Sequence, residues 1–251
     1  MISNRLPPGR DIIVAHSSDL HIDDDHTARL HGGDGTAGLA CVLGAAQAAA
    51  ADVLILAGDT FDSHRVPPDL LERAAAVVAA STVPVVVLPG NHDPVTAEAV
   101  YHRPVLAKLA NLHVLGVTHD EAVLFPDLEL EIWGRAHRDY ADMIPFETTR
   151  ARCTRWQIAV GHGHYEPRPD RSTRLRPGWL IGDAEIAATG ADYVALGHWN
   201  RAAMVGDGRA RYSGAPEYAG TINLVRLTPQ GEVVVSQLAL DIAREPWALI
   251  E

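Results

Sequence analysis

Five short clusters of carboxylate, amide and imidazole side chains recur along the chain, each directly after a run of apolar residues. In chain order they are Asp19-Leu20-His21, Gly58-Asp59, Gly90-Asn91-His92-Asp93, Gly161-His162-Gly163-His164 and Gly197-His198-Trp199-Asn200. Such oxygen and nitrogen donors suit Mn²⁺, and also Fe or Zn²⁺, but are too rich in histidine for Ca²⁺. The donors exceed the needs of one ion, whereas two divalent metal ions sharing a carboxylate about 3.5–4 Å apart would use them and would suit phosphoryl transfer.

The elements that must position these clusters are buried strands. The apolar runs that precede the clusters are 12–15, 53–57, 85–88, 158–160 and 193–196. Binding sites in α/β sheets form at the carboxyl ends of the strands, so strands that share a direction would bring all five clusters to one edge. One Asp, Asn or His after a strand is equally typical of a turn. The recurrence at five strand ends is what favours a site.

The wider pattern predicts an α/β fold. Continuous apolar strands alternate with helical segments and therefore indicate a sheet covered on both faces. Helices are predicted at 36–51, 67–80, 96–109 and 183–189, and further strands at 112–115, 122–125 and 128–133. The second half adds mostly antiparallel strands. We therefore expect a two-sheet αββα sandwich with helices on the outer faces.

We expect one domain over residues 1–251, with 1–10 as an N-terminal extension. Segment 202–240 alternates short strands with glycine turns, which predicts a C-terminal β-meander that completes the second sheet.

Composition narrows the function. The 251 residues carry 21 Lys+Arg against 32 Asp+Glu, a formal charge of −11, which argues against a surface that generally coats DNA. No apolar stretch approaches the roughly 20 residues of a membrane helix, and no signal-peptide core precedes residue 10, so we expect no membrane contact. With 2 Cys against 13 His, neither a disulfide framework nor a Cys-rich zinc site can form. A cytoplasmic location fits best.

The five clusters, in this order, resemble those of the calcineurin-like metallophosphoesterase family. The resemblance spans about residues 11–215. Three longer stretches look most like the SbcD-type nuclease branch of the family: Ser17-Ser18-Asp19-Leu20-His21, Ala57-Gly58-Asp59-Thr60-Phe61-Asp62, and Ala195-Leu196-Gly197-His198 with Arg211-Tyr212-Ser213-Gly214 after it.

The resemblance implies a ligand set for two metals. Asp19 and His21 would hold one metal. Asn91, His162 and His198 would hold the other. Asp59 would bridge the two, and a hydroxide between the metals would attack phosphorus in line.

The resemblance also implies catalytic roles. His92 would donate a hydrogen bond or proton to the phosphate or the leaving oxygen, and Asp93 would orient His92. Metals already lower the pKa of the nucleophile and neutralise phosphate, so the protein must add mainly an acid and positioning groups. Asn91 is also a candidate for substrate binding, and His64 and Arg65, just past Asp59, either reach the substrate or cap the next helix.

The last cluster departs from the family pattern, which is usually Gly-His-x-His. Here Asn200 stands at the second histidine position and would bind a metal more weakly, through its amide oxygen. His164 is a second candidate for the ligand role of the histidine that Asn200 replaces. Segment 150–176 holds seven arginines, which either contact substrate phosphates or form a solvated loop.

The sequence therefore predicts metal-dependent hydrolysis of phosphoester bonds by a phosphodiesterase, acting on a small-molecule or nucleotide substrate. One alternative is an SbcD-like DNA exonuclease or endonuclease, with nucleic acid as partner. That branch usually has a longer C-terminal part that caps the site and binds an ATPase partner. This feature argues against the nuclease alternative. The other alternative is a non-catalytic scaffold of the same fold, which only Asn200 favours.

Overall fold

The computed structural model describes residues 9–172 and 177–244, so residues 1–8 of the predicted N-terminal extension lie outside the described part. Its strands are β1 (Ile12–Ser17), β2 (Val53–Ala57), β3 (Val85–Leu88), β4 (Leu112–Val114), β5 (Ala122–Phe125), β6 (Leu130–Gly134), β7 (Trp156–His162), β8 (Tyr193–Gly197), β9 (Ala203–Val205), β10 (Ala210–Tyr212), β11 (Thr221–Leu227) and β12 (Val233–Ala239). Its helices are α1 (Asp25–Leu30), α2 (Ala37–Ala48), α3 (Pro68–Ala80), α4 (Pro104–Ala107), α5 (Asp183–Thr189) and α6 (Pro216–Ala219), with short 3₁₀ turns at Val100–His102 and Pro126–Leu128.

The strands form two six-stranded sheets. The first has the order β12-β11-β1-β2-β3-β4. Strands β1 to β4 are parallel to one another, whereas β11 is antiparallel to both of its neighbours, β1 and β12. The second has the order β5-β6-β7-β8-β10-β9, in which the four central strands are parallel and both edge strands antiparallel. In each sheet, the strands that precede the clusters thus run in one direction.

Three layers of apolar side chains hold the sheets and helices together. The middle layer joins Val14 and Ile55 of the first sheet to Ile158 and Ala195 of the second. Alternate residues of the same strands, which point the other way, pack against helices on the outer faces: α2 and α3 on the first sheet and α5 on the second. The predicted αββα sandwich is confirmed.

The chain after residue 202 differs from the prediction. It does not form one meander in the second sheet, because only β9 and β10 join that sheet, whereas β11 pairs with β1 in the first. Between them, Gly220 adopts the left-handed conformation (φ 67°) that ends α6 and starts the crossing. The central strands of the second sheet are also parallel rather than mostly antiparallel. Alternating short strands look alike in sequence whichever sheet they join.

The predicted helix over 96–109 is also wrong. The structure has instead the 3₁₀ turn Val100–His102 and the four-residue α4. Pro104 is the physical reason, because a proline lacks the amide that an interior helical position requires and forces the preceding residue into an extended conformation. Arg103 has that conformation (φ −66°, ψ 132°). Among the described residues, no helix has the length and apolar character needed to cross a bilayer.

Candidate metal centre

The turns after the strands are joined to one another by their backbones. The amide of Asp19, after β1, donates to the carbonyl of Gly58, after β2, at 3.0 Å. The amide of His21 donates to the carbonyl of Asp59 at 3.1 Å. These bonds hold the first two predicted ligand clusters side by side at the carboxyl edge of the first sheet.

Four of the predicted ligands have a backbone conformation that non-glycine residues rarely adopt. Their φ values are 55° for Asp19, 44° for His21, 50° for Asp59 and 104° for His198. Each such residue costs on the order of 1–3 kcal/mol, and it persists only where the surroundings hold it. Their occurrence at these strand ends indicates that the protein fixes the directions of these ligand side chains at a cost in folding free energy.

One donor group gathers around His162. The Nδ1–H of its ring donates to the carbonyl of Ala57 at 2.9 Å, which leaves Nε2 for other partners. Nε2 lies 3.0 Å from Oδ1 of Asn91 and 3.1 Å from Oδ2 of Asp59. The ligand atoms of Asp59, His162 and His198 lie within 4.8 Å of one another. The structure thus brings together the side chains predicted for one of the two metals.

The electrostatics of this group fit a cation. Burial alone would lower the pKa of His162, but the charge of Asp59 and a hydrogen bond to it raise that pKa to about 9. Burial would raise the pKa of Asp59, yet the charge of His162 holds it well below its ordinary value. The protonated Nε2 of His162 is therefore surrounded by oxygen acceptors. The same oxygen atoms would bind a divalent ion. The donor set fits a metal ion.

A second donor group shares Asp59. The ligand atoms of Asp19, His21 and Asp59 also lie within 4.8 Å of one another. Both carboxylate oxygens of Asp19 accept from the backbone amide of His198, at 2.9 and 3.1 Å, so the second sheet fixes a side chain of the first. Burial raises the pKa of Asp19 although the charge of the nearby His162 opposes that shift.

Asp62 connects the metal centre to the predicted acid, and the sequence interpretation assigned it no role. Its backbone carbonyl accepts from Nδ1 of His92 at 3.1 Å, and its Oδ1 lies 3.0 Å from the same atom and 3.1 Å from Nδ1 of His21. These three side chains form a third group of adjacent donors. With Nδ1 of His92 engaged, its Nε2 is the nitrogen left to hold a proton for a substrate. No local sequence signal indicated this contact, because Asp62 and His92 lie 30 residues apart in the chain.

The hydrogen bonds of Asp93 go to partners other than His92, so its predicted orienting role stays a prediction. Its carboxylate accepts from the amides of Gly90 (2.7 Å) and Phe61 (3.1 Å) and from the hydroxyl of Tyr101. Burial and the charge of Asp59 raise its pKa to about 6. Asp93 therefore ties the turns after β2 and β3 together, and Asp62 makes the contact with His92.

A cavity of about 340 Å³ lies beside this centre. It is lined by Asp62, Ser63, Asn91, His92, Tyr140, Pro177 and Trp179. His64 and Arg65 are not part of that lining. Nδ1 of His64 instead accepts from the amide of Val100 at 3.3 Å, and Arg65 is exposed. Their predicted substrate contact stays a prediction.

Asn200 and His164, the two candidates for the replaced histidine ligand, have other contacts in the structure. Asn200 is exposed, and its backbone carbonyl accepts from Ala215. Nδ1 of His164 accepts from the indole of Trp199 at 3.1 Å. No contact of the described residues joins either side chain to Asp19 or His21, and Asn200 as a ligand stays a prediction.

The arginine-rich segment is mostly structural. Arg150 pairs with the buried Glu131, Arg152 with Asp192, and Arg171 with Glu185. Arg155 donates to a backbone carbonyl, and Arg168 is exposed. Arg174 and Arg176 lie outside the described residues. The arginines with partners connect the segment to other parts of the protein, and none of them is among the residues that line the cavity.

Fold and donor groups together define a metal-binding α/β hydrolase of the phosphoesterase class. The chain belongs to the calcineurin-like phosphoesterase family, whose model matches residues 12–202. No curated protein matches the chain significantly in sequence.

Solved structures share the fold at low identity. The TT1561 protein of Thermus thermophilus is 12% identical with a TM-score of 0.55, over 90% of this chain and 98% of that one. A Staphylococcus aureus protein with a provisional 5′-nucleotidase name, solved with alpha-ketoglutarate, is 15% identical with a TM-score of 0.55. That alignment covers 94% of this chain and 55% of that one.

Proposed function

We propose that the protein is a phosphodiesterase that uses two divalent metal ions, with Mn²⁺ favoured over Fe or Zn²⁺. The observation that carries the proposal is that the Asp59 carboxylate belongs to two adjacent donor groups, one with Asp19 and His21 and one with His162 and His198. A shared carboxylate is what two ions about 3.5–4 Å apart require. Asn91 adds a neutral oxygen next to His162.

The residues around the donors have separable tasks. When bound, the divalent ions neutralise the phosphate and lower the pKa of the attacking water. His92 lies on the cavity wall, where its Nε2 proton serves the leaving oxygen while Asp62 holds Nδ1. Asn91 faces the same cavity and positions the phosphate. In the balanced reaction water adds to phosphorus, one P–O bond breaks, and the alcohol leaves with a proton.

The test is hydrolysis of bis-p-nitrophenyl phosphate by the protein loaded with Mn²⁺, Fe or Zn²⁺, with the metal content measured. We expect release of p-nitrophenolate, near two ions per chain, and loss of activity on chelation. On a diester with an unactivated alkyl leaving group, which needs a proton to depart, His92→Ala should lower kcat at least about 100-fold, since a positioned acid contributes at least that much. His102→Ala, at an exposed histidine of the 3₁₀ turn, is the matched control and should keep full activity.

Full activity of His92→Ala on the alkyl diester would exclude it as the acid, and a stoichiometry of one would exclude the two-metal site. Faster cleavage of linear DNA than of nucleotides and cyclic nucleotides would favour the nuclease alternative. A folded, metal-loaded protein without activity on any phosphoester would favour the scaffold. The cytoplasmic location stays a prediction of the sequence.

A further inference from the structure

The cavity beside the metal centre has two kinds of wall. One side is polar and includes the predicted ligand Asn91 together with Asp62, Ser63 and His92, whereas Tyr140, Trp179 and Pro177 form an apolar, largely aromatic side. Its volume of about 340 Å³ lies in the range of pockets that bind small molecules. The aromatic side has no task in metal binding or proton transfer.

Trp179 is held in place by the loop that carries Tyr140. Oδ1 of Asp142 accepts from the amides of Gly178 (3.1 Å) and Trp179 (2.8 Å). The indole Nε1 of Trp179 donates to the carbonyl of Ala141 at 3.0 Å. Trp179 also has a positive φ of 44°, so its backbone is constrained as well. An aromatic side chain fixed before binding loses little entropy when a ligand contacts it.

The chain also docks Trp179 against the metal centre. The carbonyl of Trp179 accepts from the amide of His164 at 3.1 Å, directly after β7. A Cβ at Gly163 would lie 1.9 Å from that carbonyl oxygen, so only glycine permits the approach. The indole ring lies 5.8 Å from the ring of His198. A part of the substrate that contacts Trp179 therefore lies close to His198, one of the predicted metal ligands.

Tyr140 is the exposed counterpart of Trp179 in the lining of the cavity. It is 59% exposed, and it is the one aromatic residue among the large apolar side chains that the described part of the chain leaves exposed. Its ring is therefore available to a planar ligand, which gains from stacking on an aromatic face. The described residues that line the cavity include neither Lys nor Arg but do include two aromatic rings, which favours an uncharged ring over a second phosphate at this place.

We propose that this cavity binds a planar aromatic ring carried by the phosphoester substrate, such as the base of a nucleotide, against Tyr140 and Trp179. The phosphate of the same molecule reaches His92 and the metal centre. This inference rests on the proposed function and names its substrate class. Loss of a base–aromatic contact lowers binding by about tenfold for each 1.4 kcal/mol of stacking.

The experiment compares esters that differ only in the ring. Adenosine 5′-phosphate methyl ester and ribose 5-phosphate methyl ester are hydrolysed by the metal-loaded protein, and products are followed by phosphorus NMR. The corresponding monoesters are run in parallel, with inorganic phosphate as readout. We expect kcat/KM for the adenosine ester to exceed that for the ribose ester at least about tenfold, mostly through KM. Phenyl and pyrimidine esters show whether any planar ring suffices.

Tyr140→Leu and Trp179→Leu should reduce this ratio toward one, whereas Trp179→Phe should retain most of it. Leu124→Ala, at an exposed apolar residue of β5 outside the cavity, is the control and should keep both activity and ratio. Equal hydrolysis of ring-bearing and ringless esters by the wild type would overturn this inference while leaving the proposed function intact. Failure to hydrolyse any ester would overturn the proposed function.

Binding tested by calorimetry separates the two proposals even without turnover. Adenosine 5′-monophosphate should bind the metal-loaded protein at least about tenfold more tightly than ribose 5-phosphate. Equal affinities would contradict the aromatic subsite, and Tyr140→Leu should abolish the difference.

Discussion

At the scale of single residues, two neighbouring carboxylates of the site have different environments and should have different roles. The side chain of Asp62 is 41% exposed and contacts two histidines of the centre. Asp93 is fully buried and accepts from two backbone amides and a tyrosine. The first is placed to act in turnover and the second to hold turns together.

Conservative variants of both acids separate these roles. Asp62→Asn should lower kcat by about 10–100-fold, because His92 loses its charged partner, and should change the free energy of unfolding by less than about 1 kcal/mol. Asp93→Asn should lower the free energy of unfolding by about 3 kcal/mol, because one amide group cannot accept from three donors. Turnover assays and urea unfolding of both variants check this. Equal effects on both quantities in both variants would contradict the assignment.

A buried histidine away from the metal centre predicts acid sensitivity. His16 on β1 is fully buried, with Nδ1 2.9 Å from the hydroxyl of Tyr193, and burial lowers its pKa to about 3. Between the ordinary pKa of 6.5 and about 3, the unfolded chain binds a proton there and the folded chain does not. This residue therefore removes about 1.4 kcal/mol of stability for each pH unit as pH falls through that range.

His16→Gln should make the loss of stability on acidification shallower by about that amount, measured by urea unfolding at pH 7, 6 and 5. His102→Gln, at an exposed position, should keep the wild-type slope. Identical slopes for His16→Gln and the wild type would refute the prediction.

The residue types of the clusters could be recognised from sequence because each directly follows an apolar strand. Asp62 could not be given a role, since its contact with His92 exists only after the turns of β2 and β3 meet. Tyr140 and Trp179 lie in loops without periodicity, more than 30 residues apart, and no local pattern connects them. The fold, not the sequence spacing, brings them to one cavity.

At the scale of elements, the two sheets touch where β2 and β8 end. A Cβ at Gly197 would lie 1.8 Å from the carbonyl oxygen of Ala57, the same oxygen that accepts from His162. Gly197→Ala must therefore push β8 away from β2 and break the bond that orients His162. We expect a loss of about 3 kcal/mol in the free energy of unfolding together with loss of metal binding.

Gly44→Ala is the matched control for that substitution. Gly44 lies in α2 with no atom within 4 Å of an added Cβ, so alanine should stabilise the helix by about 0.5–1 kcal/mol. Thermal unfolding and metal titration of both variants check the pair. Normal metal binding by Gly197→Ala would contradict the close approach of the two strands.

Elements were predictable where one signal dominates. β2 and β3 match their apolar runs end to end, and α3 begins after Pro67 as its prolines indicate. The helix over 96–109 failed because Pro104 outweighs the helical pattern around it. The sequence predicted the C-terminal strands. It did not predict that β11 pairs with β1, because the pattern of a strand does not indicate which of two sheets it joins.

At the scale of the whole molecule, the metal centre joins both sheets, so occupancy should control global stability. Asp19 and Asp59 come from the first sheet, His162 and His198 from the second, and the buried carboxylates gain a counter-charge when ions bind. A ligand at 100 times its Kd adds about 2.7 kcal/mol per site, which corresponds to a rise of roughly 5–10 °C in Tm for a chain of this size.

We therefore expect Mn²⁺ to raise the Tm of the wild type by at least that amount, and chelation to reverse the rise. Asp59→Asn should lose most of the shift because both donor groups contain Asp59. Asp69→Asn, an exposed acid that pairs with Arg73 on α3, should retain it. An equal shift in Asp59→Asn and the wild type would mean that Mn²⁺ binds elsewhere. Since Tm reports binding without turnover, the same measurement tests the donor groups even if the physiological substrate differs from every ester assayed.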